Sequence, residues 1–218
     1  MNLDDLSAVE TFLRQRLMQP LPGAVVQWRF APRPARKGWE PDQQPAGARQ
    51  AAALILLYEV DGALVLPLTV RRDDLPHHPG QVSLPGGAVD PGEPPERAAL
   101  REAHEEIGVV PADVRMIGSL STLNVIVSNF VVRPFIGVAS HRPEFRLAPH
   151  EVAALVEVRL EELRDAGRLG WSRRVREGFL VEYPHFDLAG HHVWGATAMI
   201  LGEFASLFDP EFAPPPFE

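Results

Sequence analysis

The chain has no cysteine. That excludes disulfides, thiolate metal sites and a cysteine nucleophile, and it fits a reducing compartment. It also lacks any apolar run approaching the ~20 residues that a membrane-spanning helix needs. No membrane partner is therefore expected. The first thirteen residues, MNLDDLSAVETFL, are acidic where a signal peptide would be basic and apolar, which points to the cytoplasm. Positive charge is scarce as well. The formal net charge is −8, which speaks against wholesale nucleic-acid binding. Lys37 is the sole lysine, so arginine supplies nearly all the cationic character. At 218 residues, with 45% apolar and 23% charged content, the chain suits one globular domain with a substantial core.

What the chain has in excess is carboxylate at one place. Residues 86 to 109 read GGAVDPGEPPERAALREAHEEIGV. Pro94 to Ile107 reads as a helix, entered through prolines, which a first turn tolerates, and left at Gly108. At about 100° per residue, Ala99, Leu100, Ala103 and Ile107 form an apolar stripe. Glu102, Glu105 and Glu106 share a second face, and Arg97, Arg101 and His104 a third, with His104 at the surface. Like charges at these spacings destabilise a helix by roughly 0.2–0.5 kcal/mol per pair. The cluster is therefore read as a site for a divalent cation. Oxygen donors without thiolates suit Mg²⁺ or Mn²⁺.

The spacing G-x5-E-x7-R-E-U-x-E-E-x-G-U, met by Gly87, Glu93, Arg101, Glu102, Ala103, Glu105, Glu106, Gly108 and Val109, resembles the Nudix box. Ala103 is small where the family usually carries a larger aliphatic. The resemblance implies metal-dependent hydrolysis of a nucleoside diphosphate linked to another group, with water as nucleophile. It implies Glu102, Glu105 and Glu106 as metal ligands, with the Gly86 carbonyl as a further ligand. It pairs Glu93 with Arg101 as a brace between loop and helix. The proton acceptor is left open among Glu105, Glu106 and Glu151, because the family varies at this point.

A second motif lies upstream. Residues 68 to 82 read LTVRRDDLPHHPGQV. They resemble the L-T-x-R-S-x-x-(hydrophobic)-R-x-H-x-G-Q-V signature of the coenzyme A pyrophosphatase branch of that family, matching at Thr69, Arg71, Leu75, His78, Gly80, Gln81 and Val82. Arg72 stands where the branch has serine, and Pro76 where it has arginine. Val193 to Ala198 resembles the branch's W-G-A-T-A segment. Together these resemblances span about residues 50 to 205. They imply coenzyme A (CoA) or a derivative as a small-molecule substrate, bound by Arg71, Arg72, His78 and Gln81. Independently, Arg71 and Arg72 follow an apolar strand and present forked cations suited to phosphate. The alternative is a solvated turn, with both paired to Asp73 and Asp74.

The resemblance also implies a mixed-sheet α/β/α sandwich over a single domain, residues 1–218. Residues 1–50 read as an amphipathic helix (Leu6, Val9, Leu13, Leu17) followed by a Pro-rich connector or flap. Residues 51–208 read as the core. Within it, Ala51–Tyr58 and Ala63–Val70 read as a hairpin about Asp61-Gly62. Val114–Leu120, Phe130–Val138 and Val152–Val158 read as further strands. Pro134 suggests an edge or a bulge in the second of these. Leu160–Ala166 reads as a short helix, Phe179–Tyr183 with Asp187–Val193 as a second hairpin, and Ala196–Phe208 as a closing helix. Residues 209–218 read as a loose tail.

Overall fold

The computed structural model describes residues 5–34, 44, 46–74, 80–176 and 178–216. Its centre is the strand β1 (Arg49–Val60), whose residues 51 to 58 are buried on both faces. Leu54, Leu56 and Tyr58 point to one side, where they pack on Ala98, Ala99, Ala103 and Ile107. Ile55 and Leu57 point to the other, into a larger cluster with Leu13, Phe30 and Phe204. This period-2 alternation in an all-apolar run places helices on both faces of the sheet. β1 turns back through Asp61 and Gly62, both at positive φ, into β2 (Ala63–Arg71). That two-residue turn matches the twist of a hairpin.

The remaining strands place the two ends of the site. β2 pairs antiparallel with β3 (Val82–Ser83) at its end and with β8 (Val152–Arg159) along its length. β4 (Gly86–Ala88) pairs with the start of β1. β7 (Phe130–Ala139) runs parallel to β1, and β5 (Val114–Ser119) and β6 (Leu123–Val125) pair with β7. The strand β7 is thus internal rather than an edge. It tolerates Pro134 because its outer partner changes there: β6 reaches Val132, β5 begins opposite Phe135, and the Pro134 carbonyl accepts from Leu120 N–H. The result is a mixed sheet between helical layers, an α/β/α sandwich.

Three stretches differ from the sequence expectation. The connector holds a helix, α2 (Ala24–Arg29), following α1 (Leu6–Leu17). The expected second hairpin is a three-stranded sheet of β9 (Leu169–Arg176), β10 (Phe179–Leu188) and β11 (His191–Trp194). Charged residues at 173, 174 and 176 mask the strand character of β9. The described part of the tail, residues 209–216, is not loose: Phe212 is only 3% exposed, stacks on Phe30 and Phe186, and Trp171 Nε1 donates to Pro215 O. Burying one phenylalanine contributes about 1.5–3 kcal/mol, enough to hold a segment with few hydrogen bonds of its own. Among the described residues, no helix is long and apolar enough to cross a membrane.

One buried acid locks the helical layer opposite the site. Glu203, in the closing helix Ala196–Ser206, is fully buried and accepts from Gln27 Nε2 (2.8 Å), Gly23 N (3.2 Å) and Ser121 N (3.2 Å). Glu203→Leu strands the Gly23 and Ser121 N–H groups and leaves Gln27 Nε2 only the longer bonds to Ser121 O (3.4 Å) and Thr122 O (3.5 Å), and a stranded buried donor costs about 1–3 kcal/mol. The expected loss in unfolding free energy is roughly 2–4 kcal/mol. Denaturant melts check it; a variant within 1 kcal/mol of the parent, a threshold near the ~1 kcal/mol average for point mutants, removes this acid from the account of stability.

Candidate active site

The helix α3 (Pro95–Ile107) is capped at its end by Gly108 in the left-handed conformation. Its three small residues Ala98, Ala99 and Ala103 are fully buried against the sheet. The small side chains bring the helix axis close to β1 and β4, which carries Glu102 and Glu106 inward with it. Glycine completes the approach. A Cβ on Gly86 would lie 2.3 Å from the Ala52 carbonyl oxygen, and one on Gly87 would lie 2.5 Å from the Glu102 carboxylate. Only backbone without side chains fits between β1 and α3 here.

The three helix carboxylates share a face but not an environment. Glu106 is 5% exposed and accepts from Gly86 N–H at 3.1 Å. Burial pushes its carboxyl up to about 8; the charges of Glu151 and Glu102 act in the same direction, against the Gly86 hydrogen bond and Arg71. Glu102 is half-buried, and burial raises its carboxyl too, with Arg101 opposing. Glu105 is exposed.

Arg101 organises this face. Its Nε and Nη2 donate to the two oxygens of Glu93, both at 3.0 Å. Nη2 also donates to Ala88 O (2.9 Å), and Nη1 to Glu102 (2.8 Å) and Glu105 (3.2 Å). The paired guanidinium holds Glu93 below the usual carboxylate range. One cation thereby ties the β4–α3 loop to the helix and draws Glu102 and Glu105 to itself. As placed, no three His, Cys, Asp or Glu side chains among the described residues form a ready metal cage. The donors nevertheless fit a hard divalent cation: the three helix side chains offer carboxylate oxygens, and burial disfavours the charged form of Glu106 unless a cation is beside it.

Glu151 faces this cluster from the segment that leads into β8, which is tied to the end of α3 by Ala148 N–H donating to Glu106 O. Antiparallel pairing sets Val152 opposite Arg71, so Glu151 meets the end of β2. Arg71 Nη1 donates to Glu151 Oε1 at 2.9 Å, Arg71 N to Gln81 O at 2.9 Å, and Arg72 N to Glu151 O at 3.1 Å. Arg72 forks onto Asp74 (2.8 and 2.6 Å) and reaches Pro149 O (2.6 Å). It lines an open cleft of about 570 Å³ with Asp73, Asp74, Pro149, Val152 and Ala153. The structure thus gathers Gly86, Glu93, Arg101, Glu102, Glu105, Glu106, Arg71, Gln81 and Glu151, with Arg72 at the rim. His78 lies outside the described residues. The Arg71–Glu151 pair is absent from the sequence reading; it becomes legible only once β2 and β8 are known to be neighbours.

With strand, glycine loop and acidic helix in place, the molecule is defined as a Nudix-fold protein. The NUDIX domain model matches residues 48–177. The chain is 40% identical over 166 residues to a protein of Enterobacter sp. (strain 638) named as an uncharacterized Nudix hydrolase, NudL, covering 72% of this chain and 81% of that one. It is 38% identical over 166 residues to the NudL of Salmonella paratyphi B, with the same coverage. A crystal structure of a Nudix hydrolase from M. smegmatis, RenU, superposes with a TM-score of 0.54 at 22% identity, covering 83% of this chain and 99% of that one. The chain belongs to the Nudix hydrolase family.

Proposed function

We propose that this protein hydrolyses the diphosphate bond of CoA or a CoA derivative with Mg²⁺ or Mn²⁺, giving 4′-phosphopantetheine and adenosine 3′,5′-bisphosphate. The supporting observation is a convergence. Gly80-Gln81-Val82 and Val193-Trp194-Gly195 are more than a hundred residues apart, and both resemble the CoA branch. In the fold β11 packs against β3, so the two segments lie together, and Gln81 O accepts from Arg71 N–H.

Glu102 and Glu105, turning from Arg101, would hold the cation together with Glu106, with the Gly86 carbonyl as a further donor. Bound there, it would neutralise phosphate charge and lower the pKa of a coordinated water. The residues of the chain then do the rest. Glu93 and Arg101 keep loop and helix together, so the carboxylates keep their spacing. Glu151, outside the ligand set and facing Glu106, takes the proton of the attacking water. The water oxygen bonds to phosphorus, the bridging P–O bond breaks, and the second phosphate leaves with the electron pair. Such chemistry rests mostly on positioning and electrostatics.

Arg72 is exposed at the cleft and suits the ribose 3′-phosphate, exchanging Asp74 for it. Arg72→Ala is expected to raise KM for CoA about tenfold to a hundredfold more than for 3′-dephospho-CoA, as a charge-assisted hydrogen bond supports. Steady-state kinetics on both substrates, with product identification, test this. Equal KM changes would release Arg72 from the 3′-phosphate. Brisk hydrolysis of ADP-ribose with none of CoA would replace the substrate and keep the hydrolase.

A further inference from the structure

We infer that Arg71 is a positioning residue for Glu151, not a grip on the substrate's phosphates. This rests on the reading of Glu151 as proton acceptor. The first observation is that the segment before β8 is already held without Arg71's side chain. Arg146 N donates to Ile107 O (3.0 Å) and Ala148 N to Glu106 O (2.8 Å), tying it to the end of α3. Arg72 N donates to Glu151 O and Arg72 Nη1 to Pro149 O, tying it to the end of β2. The main chain at Glu151 is therefore fixed from two elements. What remains free is the direction of its carboxylate, and Arg71 Nη1 sets that at 2.9 Å.

The second observation concerns the fork itself. Arg71 Nε is buried and meets no hydrogen-bond acceptor among the described residues. A phosphate cannot use that edge without unpacking the strand end. Nη1, on the far side of the fork, is taken by Glu151. Bidentate phosphate recognition needs an open pair of N–H groups, and neither edge that includes these atoms is open. A cation fixed beside a carboxylate, with one edge sealed, orients that carboxylate rather than receiving a ligand.

The test is a double-mutant cycle on the full chain with Mg²⁺, using CoA, or ADP-ribose if the parent does not turn over CoA. Arg71→Ala is expected to lower kcat roughly tenfold to a hundredfold, the scale of one charge-assisted hydrogen bond, with KM within about twofold. Arg71→Lys should recover part of the loss, and added guanidinium ion should partly rescue Arg71→Ala. In a Glu151→Gln background, Arg71→Ala should cost nothing further, because the group it positions is gone. Arg71→Met, which keeps the apolar stem, serves in place of Ala if the latter does not fold. A rise in KM at unchanged kcat, or losses that multiply across the cycle, would overturn the inference while leaving Glu151 as proton acceptor. Full activity in Glu151→Gln would overturn both.

Discussion

Replacing Glu106 by glutamine is expected to lower kcat by about 10²–10⁴-fold, the range for losing a catalytic electrostatic or acid–base group, with the fold retained. Glutamine keeps the shape and can still accept from Gly86 N–H, so the helix should dock as before. It removes a carboxylate that is nearly fully buried and sits where the donors converge. A second signature separates this from a generic loss. In the metal-free protein, burial raises the Glu106 carboxyl from 4.5 to about 8. Between those values the folded state holds a proton that the unfolded state has lost. Stability of the metal-free protein should therefore fall as pH rises through that window, by at most about 1.4 kcal/mol per pH unit. Mg²⁺ should restore it, because cation binding displaces the proton and stabilises the folded state. Glu106→Gln should lose both the slope and most of the Mg²⁺ gain. Thermal melts across pH, with and without Mg²⁺, read this directly. Turnover equal to the parent's would end the assignment of Glu106.

Glu151→Gln should cost a similar 10²–10⁴-fold in kcat but leave the metal response alone. Its carboxylate is oriented by Arg71 and stands outside the Glu102, Glu105 and Glu106 set, so the concentration of Mn²⁺ or Mg²⁺ giving half-maximal activity should stay near the parent value. For Glu106→Gln that concentration should rise. The two variants thus separate a ligand from a proton acceptor by one titration each. A Glu151→Gln enzyme with a weakened metal response and modest kcat loss would move Glu151 into the ligand set and return the base to Glu105 or Glu106.

The reach of the sequence varies with the range of the interaction. The α3 helix and its acidic face follow from local rules: a 3.6-residue period, prolines at entry, glycine at exit. The β1–β2 hairpin follows from Asp61-Gly62 between two apolar runs. The strand β9 did not, because the adjacent Arg173 and Arg174 break the apolar alternation of a strand, and only pairing with β10 fixes it as one. Residues 209–218 read as a loose tail because prolines dominate there. Phe212 finds its pocket between Phe30 and Phe186, residues far from it in the chain. Pro134 carries an edge-strand signal, and its tolerance inside the sheet depends on where β6 ends and β5 begins.

The same division runs through the candidate site. The sequence by itself determined which groups are offered: carboxylates spaced on one helix face, two adjacent glycines before them, Glu93 and Arg101 at the right separation, and forked cations at a strand end. Helical geometry fixes those relations within a few turns, whatever the rest of the chain does. Only the tertiary structure decided which carboxylate is buried, since Glu102, Glu105 and Glu106 differ in exposure through packing on β1 and β4. It alone decided that Arg71 faces Glu151, because that contact spans eighty residues and exists only when β2 and β8 pair in register. Charge, burial and orientation at a site are properties of neighbours in space, and those neighbours are set by the sheet.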